Sequence, residues 1–169
     1  MKWGQGRMTY ASGNYYEGAW ENNKRNGHGV MNWLTSNEKY TGNWEDNYQS
    51  GFGTHIWLDS NGENKLLRNR YVGYWQKGLR HGKGTFYYSN GSKYEGDWSE
   101  NFKHGTGVFT FEDGTEYSGP FEKDRMVNRI IEKTSTNLTD LPNAPVAAGG
   151  NQIGSQNARM QAQKAQHTE

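Results

Sequence analysis

YEGDWSENFKHGTGVFTFEDGTEYSGPF, residues 94–121, holds one full turn of a phrase that the chain repeats. Its opening (tyrosine, any residue, glycine, any residue, aromatic) is YEGDW at 94–98 and returns as YSGPF at 117–121. The same phrase is YEGAW at 16–20, YTGNW at 40–44 and YVGYW at 71–75. Between the copies stands a Gly-x-Gly pair followed by alternating apolar residues: Gly27/Gly29, Gly51/Gly53, Gly82/Gly84 and Gly105/Gly107. One Gly-x-Gly carries little information. Two phrases alternating at a near-constant period define a repeat architecture. Tyr71 to Tyr94 and Tyr94 to Tyr117 are 23 residues apart, and Tyr16 to Tyr40 is 24. Tyr40 to Tyr71 is 31, so that unit carries an insertion after Trp57, around residues 62–70, in the position of a turn.

Side chains alternate along a strand, so Tyr, Gly and Trp of each phrase fall on one face. The residues two and four after each Gly-x-Gly repeat that period: Met8/Tyr10, Met31/Trp33, His55/Trp57, Phe86/Tyr88 and Phe109/Phe111. Interior glycines and aromatic content favour strands over helices. Asn61-Gly62, Asn90-Gly91 and Asp113-Gly114 mark tight turns. Each unit is therefore expected to be a β-hairpin. The hairpins are expected to add in series into one elongated, twisted, single-layer antiparallel sheet, an all-β fold.

The expected ring stack is Tyr16, Trp20, Tyr40, Trp44, Tyr71, Trp75, Tyr94, Trp98, Tyr117 and Phe121. The central glycines Gly18, Gly42, Gly73, Gly96 and Gly119 are expected to leave slots where a ring from the adjacent hairpin lies against the backbone. The Gly-x-Gly pair is expected to supply a positive φ or a sharp bend.

Composition agrees with a thin, ring-lined structure. Of 169 residues, 31% are hydrophobic, below the globular norm, yet 14% are aromatic. The net charge of +1 supplies no field that would draw the chain to nucleic acid. Without cysteine there is neither a disulfide framework nor a thiolate metal site. No stretch has the length and apolarity of a signal peptide or membrane span, and the expectation is a cytoplasmic location.

The pattern is already running at residues 3–15, where Gly4/Gly6 lead to Met8, Tyr10 and a turn at Ser12-Gly13-Asn14. That half-unit is either a natural cap or the remainder of a longer array. After Phe121, Asn128 and Ile130 stand in the glycine places, so 122–133 reads as a degenerate cap closing an array over 1–133. From Thr134 the composition turns to Thr, Asn, Pro, Ala, Gly and Gln, which reads as an extended or disordered tail over 134–169 with a short helix at 156–166.

Candidate chemistry is sparse. His81 and His104 precede Gly-x-Gly pairs and His28 lies inside one, so they are spread along the array and do not converge on a metal. HGKGT at 81–85 lacks the Lys-Ser/Thr of a phosphate loop. No nucleophile–base set or carboxylate pair stands apart from the repeat, so no enzyme, cofactor or small-molecule substrate is expected. The loops at 21–26, 45–50, 76–81, 99–104 and 122–128 together carry a net charge of +1, too little for anionic lipid, although Lys77, Arg80, His81 and Lys83 form a local remnant. A protein-binding surface fits better. Its candidate contacts are Tyr48, Leu79 and Phe102, which recur four residues after the phrase aromatic, with Leu66 and Leu67 from the insertion. The other reading is that these side chains fold back onto the rings.

At these residues the chain resembles the MORN-repeat family (membrane occupation and recognition nexus). That family's unit is Y-x-G-x-W-x-x-G-x-x-x-G-x-G and a second strand. The resemblance spans 4–121, with Asn23, Asn47 and Asn101 where Gly78 keeps the loop glycine. It implies a single-layer β array, with a phosphoinositide- or membrane-apposed tether, or a regulatory domain of a larger enzyme, as further possibilities. A narrower resemblance rests on GRMTYASGNYYEGAW, NGHGVMNWLTSNEKY, LLRNRYVG in the extended unit and RHGKGTFYYSNG. These are similar to the radial spoke head protein ten homologues of motile cilia. That resemblance implies a non-catalytic scaffold of the ciliary or flagellar axoneme. Its partners would be other radial spoke head proteins, bound through sheet edges, the insertion and the tail.

Overall fold

Each Tyr-x-Gly-x-aromatic phrase forms a strand, and each Gly-x-Gly begins or crosses the next one. The computed structural model describes residues 1–57 and 68–127; the insertion core, Asn61-Gly62, Leu66, Leu67, the cap beyond Val127, the tail and its helix lie outside these residues. The strands are β1 Gly4–Thr9, β2 Tyr15–Glu21, β3 Lys24–Trp33, β4 Glu38–Glu45, β5 Tyr48–Trp57 and β6 Arg70–Gln76. They continue as β7 Leu79–Tyr87, β8 Lys93–Ser99, β9 Phe102–Thr110, β10 Glu116–Glu122 and β11 Arg125–Met126. All eleven lie in one open sheet in sequence order, every neighbouring pair antiparallel. Among the described residues there is no helix.

Two kinds of turn alternate. At Asn22-Asn23, Asp46-Asn47, Lys77-Gly78, Glu100-Asn101 and Lys123-Asp124 both residues have positive φ, the pattern of a type I′ hairpin turn. The opposite margin closes through looser loops. In these the Gly13, Gly91 and Gly114 N–H groups bond back to Tyr10, Tyr88 and Phe111, and each glycine sits in the left-handed region.

The asparagines that replace the loop glycine do more than tolerate a positive φ. Asn47 and Asn101 accept hydrogen bonds from the backbone N–H of Arg25 (2.8 Å) and Arg80 (2.9 Å) in the preceding unit. Asn23 and Asp124 do the same for Lys2 (2.7 Å) and Lys103 (2.9 Å). Gly78 has no side chain and offers only its N–H, to the Gln49 carbonyl.

The register lines up one glycine from each of ten consecutive strands: Gly6, Gly18, Gly29, Gly42, Gly53, Gly73, Gly84, Gly96, Gly107 and Gly119. The two members of a Gly-x-Gly pair have separate tasks. The first takes the positive φ (+98° at Gly27, +73° at Gly82) where four residues of one strand pass two of the other. The second belongs to the glycine row.

Above that row lies the core. Its rings alternate edge to face without a break from Trp20 through Tyr16, Trp44, Tyr40, Trp75, Tyr71, Trp98, Tyr94 and Phe121 to Tyr117, at centroid spacings of 4.8–5.4 Å. Tyr16, Tyr40, Tyr71 and Tyr94 are fully buried. A chain with few aliphatic residues thus obtains a core from edge-to-face contacts, each contributing about 0.5–1.5 kcal/mol beyond burial.

Candidate functional site

The glycine slots are filled differently from the expectation that a ring of the adjacent hairpin occupies them. The occupant is the tyrosine of the same phrase. Tyr16 folds along its own strand, donates its hydroxyl to the Ala19 carbonyl (3.0 Å), and covers both Gly18 and the facing Gly29. Tyr40, Tyr71, Tyr94 and Tyr117 make the equivalent bond to Asn43, Tyr74, Asp97 and Pro120. The physical reason is reach: a carbonyl three residues on lies under the hydroxyl once the intervening glycine removes the obstructing Cβ. The adjacent hairpin contributes its tryptophan, whose indole N–H bonds the carbonyl of the second glycine one unit back. These bonds join Trp20 to Gly6, Trp44 to Gly29, Trp75 to Gly53 and Trp98 to Gly84, at 3.0–3.3 Å. Phe121 has no N–H and closes the series through ring contact alone.

Cations are built into the seams. Arg25, Arg80 and Lys103 each stand four residues before a second glycine, and all three are buried. The Arg25 guanidinium lies 4.5 Å from the Trp44 ring and donates to the Asn47 carbonyl. Arg80 repeats this on Trp98 (4.5 Å) and the Asn101 carbonyl. Lys103 Nζ sits among Tyr88, Tyr94 and Phe109, with Asp124 Oδ1 4.0 Å away. Burial is the leading cause of their shifts: it lowers Arg25 and Arg80, and brings Lys103 down to about 8, against the pull of Asp124. Burial likewise pushes Tyr16 up to about 12 and raises Tyr40, Tyr71, Tyr88 and Tyr94 further. The loop charge count took these cations as solvent-facing. With them withdrawn into the rings, the accessible charge of that margin is negative.

The unit beginning at Tyr40 has Gln49 in the cation place and compensates. His55 is buried, stacked 4.3 Å from Trp57 and 5.4 Å from Trp33, with Nε2 3.0 Å from Oε2 of the buried Glu38. Gln49 reaches the other ring nitrogen at 3.4 Å. Sequence reading missed this pair, although Glu38 is marked: the residue two before the phrase tyrosine is Asn, Asn, Ser or Thr in the other units. Glu38→Gln is expected to destabilise the chain by about 1–3 kcal/mol, the cost of weakening a buried charge-assisted bond. Urea unfolding measures it, and an unchanged midpoint would remove the pair from the list of stabilising contacts.

The second face of the sheet carries exposed and half-buried side chains among the described residues. Its exposed aromatics are Phe52 (51%) and Tyr74 (52%), cross-strand partners in edge-to-face contact at 5.5 Å. Neither was singled out from the sequence, because each occupies an x position of its phrase. Beside them runs a half-buried row of Val30, Thr41, Thr54 and Val72, flanked by the Lys83–Asp97 ion pair at 2.6 Å. Of the candidate contacts at the two-residue turns, Tyr48 is exposed, whereas Leu79 and Phe102 are half-buried. Leu66 and Leu67 lie outside the described residues. His28 and His104 are exposed and His81 half-buried, on separate strands; among the described residues no three His, Asp or Glu side chains gather as a metal site. No helix among these residues is long and apolar enough to cross a membrane.

A family model, the MORN repeat, matches residues 1–15, 16–35, 40–61, 71–93 and 94–116. Such repeats act as protein-interaction or membrane-association modules and are typically non-catalytic. With matching phrases along most of the described sheet, a hairpin for every phrase and one ring row joining them, the chain belongs to the MORN-repeat family.

Proposed function

We propose that this chain is a non-catalytic scaffold that holds partner proteins in the radial spoke head of the ciliary or flagellar axoneme. The observation that carries the scaffold reading is the different use of the two sheet faces. One face is consumed by its own ring row, and the other presents Phe52 and Tyr74 to solvent among β-branched residues. Exposed aromatic pairs on a rigid sheet are the usual material of protein contacts. The axonemal setting is supported by the resemblance of 6–20, 26–40 and the extended unit to spoke-head sequences, and the partners would be other spoke-head proteins.

Attachment to anionic lipid is the competing reading. It needs clustered, accessible cations, and Arg25, Arg80 and Lys103 are buried in the seams. Flotation with phosphatidylserine and phosphoinositide vesicles is expected to leave the protein in the soluble fraction. Salt-sensitive flotation would replace the scaffold reading with the lipid one. Affinity capture from isolated axonemes is expected to recover radial spoke head proteins, with recovery lowered by Phe52→Ser together with Tyr74→Ser. Absence of spoke-head proteins from the captured set would overturn the axonemal assignment.

A further inference from the structure

The second face of β3–β7 is shaped as a trough. Side chains alternate along a strand, so Phe52, Thr54 and Ile56 share that face. The register sets Val30, Thr41, Thr54, Val72 and Thr85 side by side across the five strands, all half-buried and β-branched. Exposed Glu17 on β2 and Glu95 on β8 bound this floor at its two ends. Four inter-strand spacings give it a length of about 19 Å. Longer side chains stand on either side of it, two residues further along each strand. They are Phe52 and Tyr74 on one side, and Lys39, Ile56, Arg70 and Tyr87 on the other. The two ridges lie four residues apart, about 13 Å.

We propose that this trough receives an acidic amphipathic helix of a partner protein, which gives the scaffold reading a specific ligand and rests on it. Width argues for a helix. With its side chains a helix is about 10–12 Å across, which fits between the ridges, and about thirteen of its residues span the floor. The short Thr and Val side chains of the floor leave room for its apolar stripe. Phe52 and Tyr74, both exposed, supply an aromatic wall for the same stripe.

Charge selects the acid. Lys83 and Lys93 are matched on this face by Asp97 (2.6 Å) and Glu95 (3.6 Å). Among the described residues, Lys39 and Arg70 take part in no ion pair, so the unmatched positive charge of this face of β4–β8 sits on one ridge. Arg70 is exposed, with its guanidinium 4.3 Å from the Tyr87 ring of the same ridge. Lys39 and Arg70 lie two strands apart, about 9.6 Å, close to the ~10.5 Å rise of seven helical residues. Carboxylates seven residues apart on one flank of the helix therefore meet both cations, and a basic helix is repelled there.

Peptides of about four helical turns, selected from a randomised display library on the purified full chain, test this without any axonemal protein. The selected sequences are expected to carry Asp or Glu at seven-residue spacing beside an apolar stripe. Lys39→Gln together with Arg70→Gln is expected to weaken their binding at least about tenfold. Exchange of the peptide's own acids for amides is expected to do the same and needs no variant of the chain. Phe52→Ser together with Tyr74→Ser is expected to weaken binding by a similar factor. Selected peptides that are neutral or basic would overturn the acidic helix; if they still needed Phe52 and Tyr74, the scaffold reading would stand. An empty selection, which is also the result if another part of the chain fills the trough, would overturn the proposal. So would acidic peptides indifferent to all four substitutions.

Discussion

Gly73→Ala is expected to destabilise the chain by about 4 kcal/mol or more, far above the average point mutation, and to part the sheet between β6 and β7. The added methyl would lie 2.5 Å from the Gly84 Cα, 2.6 Å from the Tyr71 hydroxyl and 2.7 Å from the Lys83 carbonyl. Two of these are backbone atoms of the facing strand, which cannot step aside without losing ladder bonds. The third is the ring that joins this unit to Trp98 of the next. The control is Gly91→Ala. Gly91 also carries unusual backbone geometry (φ +93°), yet nothing lies within 4 Å of its would-be Cβ. Its replacement costs only left-handed strain, about 1–2 kcal/mol. Urea unfolding of the two variants separates crowding from conformation, and equal losses would contradict the role given to the glycine row.

Above pH 10 the sheet is expected to lose stability steeply and to unfold at roughly pH 11–12. Burial holds the Tyr16 hydroxyl up at about 12 and Tyr40, Tyr71, Tyr88 and Tyr94 above that. The unfolded chain ionises these groups near pH 10. A folded-state value raised above the unfolded one gives stability that is complete below pH 10 and is lost as pH climbs towards the folded value. Lys103 acts in the opposite sense. With its folded value near 8, unfolding takes up a proton between about pH 8 and 10.5, so stability rises gently there by up to ~1.4 kcal/mol per pH unit. Arg80, lowered to about 10, offsets one tyrosine above that. The net release of about four protons corresponds to about 5 kcal/mol per pH unit, enough to exhaust an ordinary domain's stability within two units. Tyrosinate absorbance and circular dichroism should change together. Stepwise ionisation with the sheet intact would contradict burial of the ring row.

The architecture was legible because it depends on spacing. A period near 23 residues, a two-residue alternation within each phrase and turn markers between phrases admit few arrangements besides serial hairpins. What spacing could not convey was which atoms meet across strands. The two glycines of a pair look equivalent in sequence, and only the register assigns a bend to Gly27 and a ring floor to Gly29. Arg25, Arg80 and Lys103 read as loop charges because their burial depends on a tryptophan or tyrosine brought in by another strand. A basic residue four places before the second glycine recurs at Lys2, Arg25, Arg80 and Lys103, and that recurrence was the available signal. The Glu38–His55 pair was hidden by the same logic, since neither residue repeats.

Strand order that follows the sequence from β1 to β11 also dictates how such a protein would respond to mechanical load. Tension applied between distant points of the sheet acts on one ladder at a time, because among the described residues each strand pairs only with its neighbours in sequence. Hairpins would therefore peel away singly, each releasing roughly 23 residues of slack while its neighbours stay folded. Rejoining is a local event with little loop to close. A tether made this way stretches in steps and recovers, a useful property for any part that is repeatedly pulled.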